Sequence, residues 1–273
     1  MHGVIIVDGT NLVHRAHAVA ARLAADPLGD AVLPAAVAGG ALLLSRLTIP
    51  PDGWDGCRLL AAFDLGGSSG RKEIYPAYKA NRGAPEPTLT AANAALAETA
   101  ARLGYEVYMD AAQEADDLIA ALHRRARAAG EAAIVVSSDG DLWQLIDNET
   151  TLRVPRRAND PQPGAAARYR EVGLREHHEK YGFPPYLLPD YKALAGDVSD
   201  NYPGLRGVGE TWGRRLIAEY GDLDRVFSNA HYVSNVAVRA ALLADGARAQ
   251  ASLCRRLATL RRDAPLPPPL RAR

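Results

Sequence analysis

"YEVYMDAAQEADDLIAAL" (residues 105–122) sets a short apolar run ending in Asp110 against a second apolar run opened by Glu114, Asp116 and Asp117. The aromatic and β-branched character of the first run is that of a strand, and the length and alanine content of the second are those of a helix entering a core. Acids in the first turn of an exposed helix are favoured by the helix dipole. In a core-facing helix they need something positive beside them. The same strand ending recurs along the chain in "GVIIVD" (3–8), "CRLLAAFD" (57–64) and "AAIVVSSD" (132–139), closing on Asp8, Asp64 and Asp139. Alanine- and leucine-rich stretches at 35–47, 88–103 and 115–129 lie between these runs. Strand alternating with helix predicts an α/β fold with a mostly parallel sheet. In such a sheet the strand ends lie along one edge, where ligands bind.

The acids then form one inventory: Asp8 in "VDGTN", Asp64 in "AFDLGG", the trio Glu114, Asp116 and Asp117, Asp139 and Asp141 in "SSDGDLW", and Asp197 and Asp200 in "AGDVSDN". Each has a plain reading alone, as a strand-ending turn, a helix-dipole acid or a loop signal. Together they require another account, because two like charges ~4 Å apart repel by about 4 kcal/mol at an effective dielectric of 20. Cations resolve that repulsion. Oxygen-only ligands suit Mg²⁺ or Mn²⁺, and two such ions ~4 Å apart suit phosphodiester hydrolysis. Asp110 is set aside as a helix N-cap.

The rest of the sequence bounds this reading. Among 273 residues, 32 basic balance 32 acidic, so net charge predicts no polyanion partner and only local clusters can. The two cysteines, Cys57 and Cys254, are far apart and form no metal or disulfide framework. Cys57, opening an apolar strand, reads as buried rather than reactive. The histidines are scattered and read as ordinary. The N-terminus lacks a signal-peptide pattern and no apolar stretch approaches the roughly 20 residues that span a membrane, which predicts a protein of the cytoplasm. After "PRRANDPQPGAAARYR" (155–170) the pattern turns helical, placing a boundary near 180 between an α/β part (1–180) and a helical part (181–273). "PGLRGVGETWGRRLIAEYGDLDRVF" (203–227) has the glycine hairpin and following helix of a helix-hairpin-helix, where the backbone can approach a phosphate. "SSGRKEIYPAYKANRG" (68–83) interleaves Arg71, Lys72, Lys79 and Arg82 with Tyr75 and Tyr78, a pattern suited to single-stranded nucleic acid. The tail "APLPPPLRAR" reads as extended.

Assembled in order, "VDGTNLVHRAH", "AFD" with Arg71 and "AYKANR", "EADDLIAAL", "SSDGDLWQL", "YGFPPYLLPDYKALAGDVSDNYPGLRGVGETWGRRLI" and "LCRRLATLRRDAPL" resemble the structure-specific 5′-nuclease family over nearly the whole chain. That family includes the flap endonucleases, phage 5′-exonucleases and the N-terminal domain of bacterial DNA polymerase I. The resemblance implies a PIN-like sheet flanked by helices, a helical arch over about 71–104 and a C-terminal helix-hairpin-helix. It implies Asp8, Asp64, Glu114, Asp116, Asp139 and Asp141 around two or more Mg²⁺ or Mn²⁺ ions, with Asp117, Asp197 and Asp200 in a second, more exposed group. Lys79 and Arg82 would meet the scissile phosphate, and Tyr78 would stack on a base. Arg15, Arg71, Gly207 and Gly209 would contact DNA, with K⁺ at the hairpin. The implied partners are DNA with 5′ flaps or 5′ ends and RNA–DNA primers, the implied state a monomer. No polymerase sequence follows, which predicts a stand-alone nuclease. Pro189 departs from the pattern and marks either a kink or a later helix start. A haloacid-dehalogenase-type phosphatase would need an acid at Thr10, and a PIN-type ribonuclease would lack the helix-hairpin-helix.

Overall fold

The computed structural model describes residues 2–26, 29–66, 70–83, 86–156 and 169–270. Its strands are β1 (His2–Asp8), β2 (Gly56–Asp64), β3 (Glu106–Asp110), β4 (Ala132–Val136), β5 (Thr150–Pro155) and β6 (Tyr169–Val172). They form one sheet in the order β3-β2-β1-β4-β5-β6. The first five are mutually parallel and only β6 is antiparallel. Along β1, Ile5 and Val7 point into one core cluster while Val4 and Ile6 point into another, the period-2 alternation of a strand buried on both faces. The first face is covered by α1 (Gly9–Leu23), α2 (Val32–Leu47) and, after the short α3 (Gly70–Ile74), by α4 (Pro87–Arg102). The second is covered by α5 (Ala115–Ala128), which buries Leu118, Ile119 and Leu122.

The remaining helices are α6 (Leu174–Tyr181), α7 (Leu188–Ala195), α8 (Gly209–Tyr220), α9 (Leu223–Ser228), α10 (Val236–Leu243) and α11 (Ala247–Ala258). Near the boundary expected at 180, apolar side chains from both parts share one cluster that runs from Val4 through Trp143 and Phe183 to Leu257. Pro189 sits in the first turn of α7, where a missing N–H costs nothing, so it starts the helix and does not kink it. From Ala264 to Leu270 the tail forms no helix, as expected, and its last three residues lie outside the described ones. Leu270 N donates to Val107 O at 2.8 Å, laying the tail against the β3 edge of the sheet. Among the described residues no helix is long and apolar enough to cross a membrane.

The segment expected as an arch divides in two. Helix α4 packs into the core through Ala92, Leu96, Ala97, Ala100 and Ala101, because its alanine-rich face fits closely against α1 and α2. The helical stretch at 88–103 is thus a core helix of the sheet's flank and not part of the arch. Among the described residues, the turns over 75–82 carry Tyr78, Lys79 and Arg82 to Glu114 and Asp200.

Candidate active site

The order β2-β1-β4 puts a topological switch point between β1 and β4, where a crevice opens at the carboxyl ends of parallel strands. Asp8 ends β1 beside that crevice and is 4 % exposed. Its Oδ1 accepts from Asn11 N at 2.9 Å, capping α1, and its Oδ2 accepts from Ser137 Oγ at 2.7 Å. Burial pushes the Asp8 carboxyl up to about 7 against those two hydrogen bonds, with Asp139 and Asp64 pushing the same way. Asp64 ends β2, and its Oδ1 accepts from Ala115 N, the first amide of α5, at 2.6 Å. Asp64 is also raised, by burial first and by Glu114, with the Ala115 amide and Lys79 opposing. Asp116, in the first turn of α5, is pushed well above the carboxylate range by burial and then by Asp139 and Asp8. Asp141 is raised to about 6 by burial, opposed by Lys192 and reinforced by Asp139. Asp8, Asp64, Asp116, Asp139 and Asp141, from four separate stretches of chain, therefore feel one another's charge.

Two lysines enter this field. Lys79 Nζ lies 2.5 Å from Glu114 Oε2 and 3.9 Å from Asp200 Oδ1. Burial alone would lower the Lys79 ammonium, but Glu114, Asp200 and Asp116 outweigh it and raise it. Lys192, on α7, bridges Asp141 and Asp197, with its Nζ 2.6 Å from Asp197 Oδ2. It too is raised, burial being outweighed chiefly by Asp141, while Asp197 is held low by Lys192 despite burial. Lys192 is a site residue that the sequence reading missed; its signal is the spacing to Asp197 in "YKALAGD". Also missed were Ser137, which donates to Asp8 and accepts from Asp139 N, and Thr10, which accepts from Asp64 N at 2.8 Å.

The structure places the other expected residues as follows. Asp117 is not among the acids facing the crevice. It is 2 % exposed and receives both arms of Arg71, at 2.7 and 2.8 Å, plus Arg261 N at 2.9 Å. Arg71 is likewise buried and also donates to Leu257 O and Thr259 O, so it ties α3 to the end of α11 instead of reaching outward to DNA. Tyr78 is 2 % exposed within the core, so its ring presents no face to a base. Its hydroxyl donates to Asp200 Oδ2 at 2.8 Å and Glu114 Oε2 at 3.2 Å. These three corrections share a cause: spacing shows that a residue is near the acids but not which way its side chain leaves the backbone. Asp110 does not cap α5 either. Its Oδ1 accepts from Ala112 N in a local turn, and Glu114 takes the cap position. Arg82 is half-exposed, with Nη2 2.7 Å from Asp200 Oδ1. Arg15 donates to Arg156 O at 2.9 Å. Cys57 is only half-buried.

The hairpin after α7 is built on backbone-to-backbone contact. Gly196 and Gly204 have φ +80° and +64°, and a Cβ at Gly204 would stand 2.2 Å from Gly196 N, so neither position admits a side chain. Gly207 and Gly209 follow at φ +91° and +59°, both exposed, with Gly209 the first residue of α8, whose first turn has no side-chain cap. Amides there remain available to an anion.

A family model described as 5′-3′ exonuclease, N-terminal resolvase-like domain, matches residues 3–182, and a second, 5′-3′ exonuclease, C-terminal SAM fold, matches 183–272. The chain belongs to the 5′-3′ exonuclease family. It is 34 % identical over 208 residues to DNA polymerase I of Rhizobium leguminosarum, covering 76 % of this chain and 19 % of that one. To DNA polymerase I of Bacillus caldotenax it is 30 % identical over 264 residues, 96 % of this chain and 28 % of that one. The chain thus spans less than a third of the length of these relatives. Its fold is that of a phage T5 5′-exonuclease mutant (TM-score 0.63, 20 % identity, 96 % and 89 % covered). It also matches a phage T5 flap endonuclease pseudo-enzyme–product complex with DNA and metal ions (TM-score 0.69, 19 % identity, 95 % and 90 %). A third match is the catalytic core of Rad2 with DNA substrate (TM-score 0.57, 15 % identity, 97 % and 82 %).

Proposed function

We propose that this 5′-3′ exonuclease family member is a metal-dependent, structure-specific 5′-nuclease that hydrolyses DNA phosphodiesters at 5′ flaps and 5′ ends, including RNA–DNA primers, as a monomer of the cytoplasm. The observation that carries this reading is the set of mutually repelling carboxylates at the sheet's switch point, crossed by a segment bearing Lys79 and Arg82. Among the described residues no three His, Cys, Asp or Glu side chains are closed on one point as a ready ligand set. The donor chemistry nevertheless fits a hard cation: all are oxygens, and burial and mutual repulsion raise Asp8, Asp64, Asp116 and Asp141. Asp8, Asp64, Glu114, Asp116, Asp139 and Asp141 would hold two or more Mg²⁺ or Mn²⁺ ions, with Asp197 and Asp200 in the outer group now neutralised by Lys192 and Arg82. Such ions would supply an activated water and neutralise charge on the departing oxygen.

The chain's own residues do the rest. Lys79, now paired to Glu114, is within reach of a phosphate laid over the acids and would stabilise the charge that grows on it. Arg82, half-exposed and now engaged with Asp200 and Ser199 O, would donate to the same phosphate. Arg15, on α1 and held to Arg156 O, would be a further contact to DNA. Residues 181–273 act as the holding part: the exposed backbone at Gly207 and Gly209 and the uncapped start of α8 approach a duplex phosphate, with K⁺ as a shared ligand there. Residues 1–180 are the cutting part. The test is cleavage of a 5′-flap DNA in Mg²⁺, with a hairpin RNA as comparison. Flap cleavage that EDTA abolishes supports the reading, and cleavage of only the RNA refutes it.

A further inference from the structure

Among the described residues only two that are not glycine have a positive φ, Lys79 at +54° and Asn201 at +57°. They lie in facing loops. Asparagine tolerates the left-handed region, but lysine gains nothing there and carries the steric penalty of its Cβ. Such a conformation persists only where the surroundings over-determine it. Here they do. Lys79 N donates to Asp200 O at 3.0 Å, Ala80 N to Ala77 O at 3.1 Å and Arg82 N to Lys79 O at 3.1 Å. Two asparagines then clasp the loops reciprocally. Asn201 Nδ2 donates to Ala77 O at 2.6 Å, and Asn81 Nδ2 donates to Val198 O at 2.8 Å. Both acceptors are carbonyl oxygens, so only the amide nitrogens can make these bonds and the orientation of each amide is fixed.

We propose that Asn201 and Asn81 are positioning residues that set where the Lys79 ammonium stands over the acids. An ammonium on a flexible four-carbon stem does not fix its own place; the direction in which the stem leaves the backbone does. With Lys79 at φ +54° the stem runs to Glu114, 2.5 Å away. Releasing the clasp lets residue 79 relax to a negative φ, which turns the stem elsewhere. The inference rests on the role given to Lys79 above. The asparagines touch neither phosphate nor metal in this account and act through the loop that carries Lys79.

The test is a double-mutant cycle on single-turnover cleavage of a 5′-flap DNA at saturating enzyme, with flap binding and thermal melting measured beside it. Asn201→Gly removes the amide but keeps a residue for which positive φ is free. Asn81→Ala removes the other amide at an exposed position of the opposite loop, where folding is not at stake, and carries the test alone if Asn201→Gly melts below the assay temperature. Each should slow cleavage by about 10- to 100-fold, the scale of an ångström-level misplacement, with flap affinity changed less than about 2-fold. In a Lys79→Ala background each should add less than about 2-fold, because residues acting as a unit are not additive. Wild-type rates in Asn201→Gly and Asn81→Ala beside a slow Lys79→Ala would overturn the positioning role alone. So would full additivity, which would mean the asparagines act through Asp200 or the fold. A fast Lys79→Ala would refute the reading of Lys79 and this inference with it.

Discussion

If the switch-point acids repel one another, the metal-free chain should lose stability as pH rises, and Mg²⁺ should restore it most where the acids are ionised. The ordinary Asp value is 3.8 and Asp8 stands at about 7 when folded. A folded pKa above the unfolded one contributes stability below pH 3.8 that is lost as pH rises through 7. At about 1.4 kcal/mol per tenfold change in proton affinity, ionising Asp8 at pH 8.5 costs the fold about 4 kcal/mol. Asp141, raised to about 6, costs about 3 kcal/mol by the same conversion. The two share Asp139 as a neighbour, so their costs overlap and do not add. Mg²⁺ competes with protons for these oxygens. At 100 times its dissociation constant it adds about 2.7 kcal/mol, or roughly 5–10 °C for a chain of this size. Melting curves in EDTA and in Mg²⁺ at pH 5.5 and 8.5 should show that gain at 8.5 and little at 5.5. Asp8→Asn should raise the melting temperature in EDTA at pH 8.5 by several degrees. An equal Mg²⁺ shift at both pH values, or none at 8.5, would refute the convergence of the acids on cations.

Arg71→Ala should cost about 3–5 kcal/mol, as expected for a broken buried pair, because it strands Asp117, and chemical denaturation should show it as a lower midpoint; unchanged stability with weakened DNA binding would return Arg71 to the DNA. His123, buried against Thr150 Oγ1, is lowered to about 4 by burial and then Arg262. A depressed folded pKa gives stability above pH 6.5 that is lost as pH falls toward 4, about 3 kcal/mol at most, so His123→Gln should move acid unfolding to lower pH on a circular-dichroism titration. Gly209→Val, strained at φ +59°, should weaken binding of duplex-containing flaps while leaving cleavage at saturating enzyme near normal, and normal binding would remove the hairpin from the interface.

The sheet and the acids were legible because they obey short-range rules. A short apolar run ending in an acid marks where a parallel strand stops, and β1, β2 and β3 end at Asp8, Asp64 and Asp110 as the pattern required. The glycine hairpin was legible for a similar reason, since the positive φ at 196, 204, 207 and 209 favours glycine. What the pattern hid were directions and long-range partners. Arg71 and Tyr78 lie in a basic, aromatic segment that looks like a nucleic-acid surface, yet both turn inward to carboxylates 46 and 122 positions away. The spacing of Lys192 to Asp197 is local, but its pairing with Asp141, 51 positions away, needed α7 to pack beside it. The arch was overdrawn because alanine-rich α4 has no polar face long enough to announce that its other face is buried.

The most direct test of the central claim is the single-turnover rate on a 5′-flap DNA for wild type, Asp64→Ala and Asp139→Ala, each with Mg²⁺ and with EDTA. The wild type should cut only with Mg²⁺, and both variants should bind the flap normally but cut at least 10²-fold more slowly, the scale of losing a group aimed at transition-state charge. Cleavage by the wild type in EDTA, or near-normal cleavage by both variants in Mg²⁺, would contradict it.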